Sequence, residues 1–250
     1  MTLELKNPHS VLAALEQRPN AVSEICITSV SPSSGWQEVA DACARLGKPV
    51  FSRVKTVQKG GRREKSRQEG RAAANCAIMH EKNSVDLKTL YSGADDGEPG
   101  LWLALDQVQD PQNVGAIFRS ASFFGVRGIV MLKDNAASLT GTVYDTAAGG
   151  VEYVPHSLQA NMKRTIEAAK EAGLWILGTS ERAPGSFDEV AFDRSWLVVL
   201  GNEEKGIRRL TEESCDVVCR LDSRGAVQSL NVSVAAAVIV SGLNARRKSG

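Results

Sequence analysis

Apolar positions change their spacing along the chain, and the changes mark out its elements. Residues 10–17, SVLAALEQ, carry apolar side chains at helical spacing behind a Ser that can cap. Ser23 to Val30, with Ile25 and Ile27, reads as a short strand, and residues 35–46 as a second helix with Trp36, Val39, Ala40, Cys43 and Leu46 on one side. Pro49-Val50-Phe51 is strand-like, and Ala72 to Met79 is a further strand. The segment 92–100, SGADDGEPG, has three glycines and no large apolar residue, which predicts a linker and a domain boundary. Residues 1–91 are then a small α/β domain, and 101–250 a larger one.

Beyond the linker, short apolar runs alternate with helical patterns. The runs 101–105, 128–132, 174–178, 195–201 and 217–221 read as buried strands, and Val151 to Val154 as a brief one. Residues 113–124, 140–148, 157–172, 207–214 and 231–244 read as helices, with Gly173 closing the long 157–172 helix. Such alternation predicts an α/β fold with a mostly parallel sheet covered on both faces. A sheet of this kind binds ligands beyond the carboxyl ends of its strands.

Bulk composition changes this picture little. The chain has 250 residues, is 24% charged and carries a formal net charge of +1. No apolar run approaches the ~20 residues of a membrane span, and the opening MTLELKNPHS lacks the basic and apolar regions of a signal peptide. Five cysteines, only Cys215 and Cys219 close together and without a following His, fit reduced thiols, a cytoplasmic setting and no metal site. The distribution of charge says more. From Arg53 to Arg71 eight basic residues face only Glu64 and Glu69. A solvated face explains such a run; so does a landing site for nucleic-acid phosphates, with Arg62, Arg63, Lys65 and Arg67 at its centre.

The strand-end loops carry the candidate chemistry. No G-x-G-x-x-G follows the first strand of the large domain and no G-x-x-x-x-G-K-[ST] occurs, so nucleotide-phosphate cradling has no support. Three other loops stand out. Asn113, a possible helix cap, is followed by Arg119 within two turns. Gly201-Asn202-Glu203-Glu204-Lys205-Gly206 follows a buried strand. Ser229 and Asn231 open a helix rich in small residues, and capping accounts for one of them rather than both.

Taken in order, N-x-G-A-I-x-R-[SA]-A-x-x-F-G from Asn113, L-G-N-E-x-x-G from Leu200 and S-L-N-V-S-V-A-A from Ser229 resemble the motif set of the SpoU/TrmH family of RNA ribose 2′-O-methyltransferases. The resemblance spans residues 101–244. His9 to Leu15 is similar to the G-x-H-x-V-x-x-x-L opening of the family's two-domain branch, with Asn7 in place of the usual Gly. Arg67-Gln68-Glu69-Gly70 stands where that branch has H-Q-G.

The resemblance implies a trefoil-knotted α/β catalytic domain, a small ribosomal-protein-like α/β domain that binds RNA, and S-adenosylmethionine as cofactor. It implies contacts to that cofactor from Thr179, Gly201, Leu221 and Leu230. It also implies catalysis by Arg119 with Asn113, Glu203, Ser229 and Asn231 as positioning groups, Glu203 serving as an ion-pair partner of Arg119. A guanidinium stays protonated above pH ~12, so Arg119 suits phosphate binding and alkoxide stabilisation better than general-base work. The implied substrate is a guanosine ribose of large-subunit rRNA. A tRNA substrate and a catalytically silent RNA-binding relative remain the alternatives. The last helix, apolar at Val232, Val234, Ala235, Val238, Ile239 and Leu243, must bury two sides, and the resemblance implies a homodimer whose active site combines both chains.

Overall fold

The computed structural model describes residues 1–28, 32–51 and 75–246. The chain divides into two compact units, Met1–Glu81 and Lys82–Gly250.

The first unit has strands β1 (Thr2–Leu5), β2 (Val22–Cys26) and β3 (Cys76–His80), with helices α1 (Pro8–Gln17) and α2 (Ser34–Leu46). The sheet order is β1-β3-β2 with both pairings antiparallel. Asn7 caps α1 by accepting the His9 N–H, and Gly47, in the left-handed region at φ 64°, ends α2. Leu5, Val11, Leu15, Ile25, Val39 and Met79 form the core between helices and sheet. Phe51 adds only a single bridge to Cys26. The basic run around Arg62, Arg63, Lys65 and Arg67 lies outside the described residues.

The second unit runs α3 (Leu87–Leu90), β4 (Leu101–Asp106), α4 (Pro111–Phe123), β5 (Gly128–Leu132), α5 (Gly141–Ala147), α6 (Gly150–Tyr153), β6 (His156–Gln159), α7 (Met162–Glu171), β7 (Trp175–Thr179), β8 (Gly185–Ser186), β9 (Trp196–Gly201), α8 (Arg209–Glu212), β10 (Val217–Arg220) and α9 (Val232–Ala245). Its seven strands lie in the order β6-β5-β4-β9-β7-β10-β8, and the pairings are parallel. Every residue of β4, β5 and β9 is buried, which is why these strands are continuous apolar runs. Burying each such aliphatic side chain contributes ~1.5–3 kcal/mol.

Three expectations need correction. The boundary between the units falls at residue 81, ten residues early, because 92–100 is not a free linker. Leu90, Tyr91 and Ala94 are buried in the core of the second unit, and Arg127 donates to the Gly93 carbonyl, Asp96 and the Glu98 carbonyl. Residues 151–153 are helical and Val154 is the extended residue that ends the turn, since the spacing of V-E-Y-V fits one helical turn as well as a strand. The strand is His156–Gln159 instead, and α7 starts only at Met162, where Asn161 caps it by accepting the Arg164 N–H.

Candidate functional site

The carboxyl ends of the central strands open into a cavity of about 500 Å³. Three chain segments wall it: the end of β7 with Thr179 and Ser180, the loop 201–207 after β9, and the stretch after β10 that runs into α9. Of the residues singled out in the sequence, Thr179, Gly201, Glu203, Leu221, Ser229 and Leu230 line it. Leu200, Ile207, Leu221, Leu230, Val232 and Ile239 give the walls apolar area, and Arg182, Glu181, Lys205 and Glu212 give charge of both signs. Size and mixed lining suit a ligand with a flat apolar body and a zwitterionic end.

Asn113 and Asn231 reach this cavity through hydrogen bonds. Asn231 Nδ2 donates to Asn113 Oδ1 at 2.9 Å, and Asn113 Nδ2 donates to Glu203 Oε1 at 2.9 Å. The other carboxylate oxygen of Glu203 accepts from Asn202 Nδ2 at 3.3 Å. Three motif loops distant in sequence are thereby joined by side-chain amides whose donors and acceptors match. Asn231 caps α9 as expected, accepting the Ser233 N–H at 2.9 Å. Asn113 does not cap α4. Asp110 holds that place, accepting the Gln112 N–H, with Pro111 in the first turn. Asn113 is left buried, with its amide free to bridge.

Arg119 stands apart. It is exposed on α4 and does not line the cavity. Among the described residues it forms no ion pair with Glu203, whose carboxylate is committed to Asn113 and Asn202. Gly201, which lines the cavity, is also required by packing. A Cβ there would lie 2.1 Å from the Gly206 carbonyl carbon and 2.2 Å from the Ile207 nitrogen, so the glycine admits the chain's own returning loop.

Asp106 and Arg208, which lie outside the three motifs, and Asn202, which lies within the second, brace the loop that walls the cavity. Asp106, fully buried at the end of β4, pairs with Arg208 at 2.7 Å. Asn202 donates to the Gln107 carbonyl at 3.0 Å and, through Oδ1, accepts the Glu204 and Lys205 N–H groups. Gln107 itself is a non-glycine at φ 65°. A carboxylate closing an otherwise apolar strand was the available signal for Asp106. Cys219 also lines the cavity, but burial pushes its thiol up to about 11, with Arg246 opposing weakly, so it stays protonated and unreactive at neutral pH. Among the described residues no group of three or more His, Cys, Asp or Glu could hold a metal ion. Nor is any helix among them long and apolar enough to cross a membrane.

Known proteins are similar to this chain. The SpoU rRNA Methylase family profile matches residues 100–241. The 23S rRNA (guanosine-2′-O-)-methyltransferase RlmB of Nitrosomonas europaea is 34% identical over 230 residues, 92% of this chain and 86% of that protein. The RlmB of Neisseria meningitidis serogroup B is 33% identical, over 93% of this chain and 91% of that one. Among solved structures, the SpoU methyltransferase AviRb from Streptomyces viridochromogenes in complex with AdoMet superposes with a TM-score of 0.76 at 20% identity, covering 100% of this chain and 91% of that chain. The second unit thus has the SpoU fold, with the second and third motif loops lining one cavity and the first joined to them by hydrogen bonds through Asn113. By that match and by near full-length likeness to its relatives, the chain belongs to the SpoU rRNA methylase family.

Proposed function

We propose that the protein transfers a methyl group from S-adenosylmethionine to the ribose 2′-hydroxyl of a guanosine in large-subunit rRNA, in the cytoplasm. The observation that carries this reading is the convergence of the 201–207 and 221–230 loops, with Thr179, on one mixed cavity that Glu203 links to Asn113 and Asn231. The residues present fit the cofactor: Leu221 and Leu230 can frame an adenine, and the charged rim can hold a zwitterionic amino acid. When bound, S-adenosylmethionine supplies an electrophilic methyl group on a sulfonium.

The chain's own groups then have to position the ribose, exclude water and stabilise negative charge on the 2′-oxygen. Arg119 carries a planar fork of donors and has no intrachain ion pair among the described residues, so it is free to grip the phosphate beside the target and to stabilise the developing alkoxide. A phosphate oxygen or a water takes the proton. Asn113, Glu203, Ser229 and Asn231 orient the RNA and the loops around it.

Assembly follows from the same surface. Val234 and Val238 on α9 are 48% and 43% exposed, and Phe123 on α4 is 83% exposed. The helix that had to bury two sides buries one. A homodimer covers the other and brings Arg119 of each protomer to the cavity of its partner. The catalytic unit is trefoil-knotted, and the first unit with its 53–71 run supplies RNA affinity through Arg62, Arg63, Lys65 and Arg67.

The test is methyl transfer from radiolabelled S-adenosylmethionine to rRNA from a strain deleted for this gene, followed by mapping of alkali-resistant ribose positions. One modified guanosine is expected. Labelling of tRNA alone, or binding of RNA without labelling, would replace the reading with one of its two alternatives. Mixing Arg119→Ala chains with Gly201→Ala chains should restore part of the activity; a fully active monomer by light scattering would sink the composite site.

A further inference from the structure

The loop 201–207 leaves the sheet and returns to it at one residue. Gly201 is the register partner of Asp106 at the last pairing of β4 with β9. Seven residues later Arg208 comes back to the same carboxylate. Asp106 Oδ1 accepts from Arg208 Nε at 2.9 Å and lies 2.7 Å from Nη2, and Oδ2 accepts the Arg208 backbone N–H at 3.2 Å. Within the loop, Asn202 and Gly206 exchange backbone hydrogen bonds at 3.0 and 2.9 Å, and Asn202 ties the near side to the Gln107 carbonyl. The Asp106 side chain is 0% exposed, whereas that of Arg208 is 45% exposed.

A buried carboxylate is costly to leave unpaired, so a loop that brings it three donors is held in one conformation. We propose that the Asp106–Arg208 pair is a positioning device for the cofactor: it fixes the 201–207 wall in its binding shape before the cofactor arrives. Neither side chain is a catalytic residue; both act through Gly201, Glu203 and Ile207, which line the cavity. The inference deepens the cofactor assignment above and rests on it.

The test compares Arg208→Gln, Arg208→Lys and Asp106→Asn with Lys170→Ala, which breaks a different ion pair, to Asp216, neither member of which lines the cavity. Arg208 is half exposed, so its variants should fold even where Asp106→Asn does not. Binding of S-adenosylhomocysteine is read by calorimetry, and methyl transfer by steady-state kinetics. In Arg208→Gln the Kd for S-adenosylhomocysteine and the KM for S-adenosylmethionine should rise about tenfold, equivalent to ~1.4 kcal/mol. At saturating cofactor kcat should stay within about threefold of wild type. Arg208→Lys should recover part of the lost affinity, and Lys170→Ala should bind as wild type does. An Arg208→Gln Kd within about twofold of wild type, a fall in kcat at unchanged KM, or an equal loss in Lys170→Ala overturns the proposal. A wild-type chain that binds no S-adenosylhomocysteine defeats the cofactor assignment itself, and the proposal with it.

Discussion

At the amino ends of the seven parallel strands Ser195, Trp102 and Arg127 tie polar groups to one another; at the carboxyl ends polar groups are left facing a cavity. At the closed end Ser195 Oγ donates to the Ala94 carbonyl and accepts the Gly100 N–H. Trp102 Nε1 donates to the Leu90 carbonyl at 2.9 Å, and Arg127 lies over the Trp102 ring. At the open end Glu203 and Asn113 are satisfied, but Ser229, Leu230 and the rim charges face open space. Gln107, at the end of β4, holds a left-handed φ that a glycine would adopt more easily. The same sheet thus has one end organised for stability and one that holds strain and unfilled volume, the usual division in enzymes of this architecture.

Substitutions at the two ends should therefore fail in different ways. The largest effect belongs to Arg119→Ala, which should lower methyl transfer about a thousandfold, comparable to losing one key electrostatic stabiliser. Its melting temperature should stay at the wild-type value because Arg119 is exposed, and its S-adenosylhomocysteine affinity should too, because the role proposed for Arg119 is on the RNA rather than the cofactor; wild-type turnover would remove it from the mechanism. Trp102→Ala, at the closed end, should do the reverse. Loss of a fully buried aromatic and its hydrogen bond should lower stability by ~3–5 kcal/mol, read by urea unfolding.

A finer contrast comes from two serines. Ser195→Ala strands a buried N–H and a carbonyl and should lower stability by ~1–3 kcal/mol. Ser229→Ala should stay within about 0.5 kcal/mol of wild type while slowing turnover. Equal stability losses would erase the difference between the ends.

The smallest effect is in pH dependence. The side-chain hydrogen bond from Arg127 holds the Asp96 carboxyl below its ordinary value of 3.8, against a weaker opposing effect of desolvation. A depressed carboxyl stabilises the fold above its unfolded value, and that contribution disappears as pH falls through the folded one. Asp96→Asn should therefore flatten the acid limb of the stability curve slightly below about pH 4. It should leave neutral-pH methyl transfer unchanged. A steeper acid limb in the variant would reverse the sign and refute the assignment.

The parallel sheet was legible in the sequence because strands buried on both faces leave continuous apolar runs, as in LWLAL and SWLVVLG. Its order was not, since runs of this kind do not say which strand lies beside which. The error at 151–159 arose where one turn of helix and a short strand share a spacing. The boundary was misplaced because residues 92–100 look like a linker by composition, while the Arg127 that binds Gly93, Asp96 and Glu98 lies some thirty residues on. At the site, motif order singled out Glu203, Asn113 and Asn231, which the fold joins. Asp106 and Arg208, 102 residues apart, belong to no shared pattern and become a pair only when β4 and β9 lie together.

That neighbourhood has a consequence for how the protein is made. β9 lies between β4 and β7 and completes both pairings, yet β5, β6, β7 and β8 are all synthesised between β4 and it. Until residues 196–201 are synthesised, a nascent chain has β4 and β7 with their facing edges unpaired, and both are strongly apolar. Long-range closure of this kind slows folding and leaves sticky intermediates. The growing chain should therefore depend on chaperone protection through about the first 200 residues, with the central gap in its sheet filled late and from within.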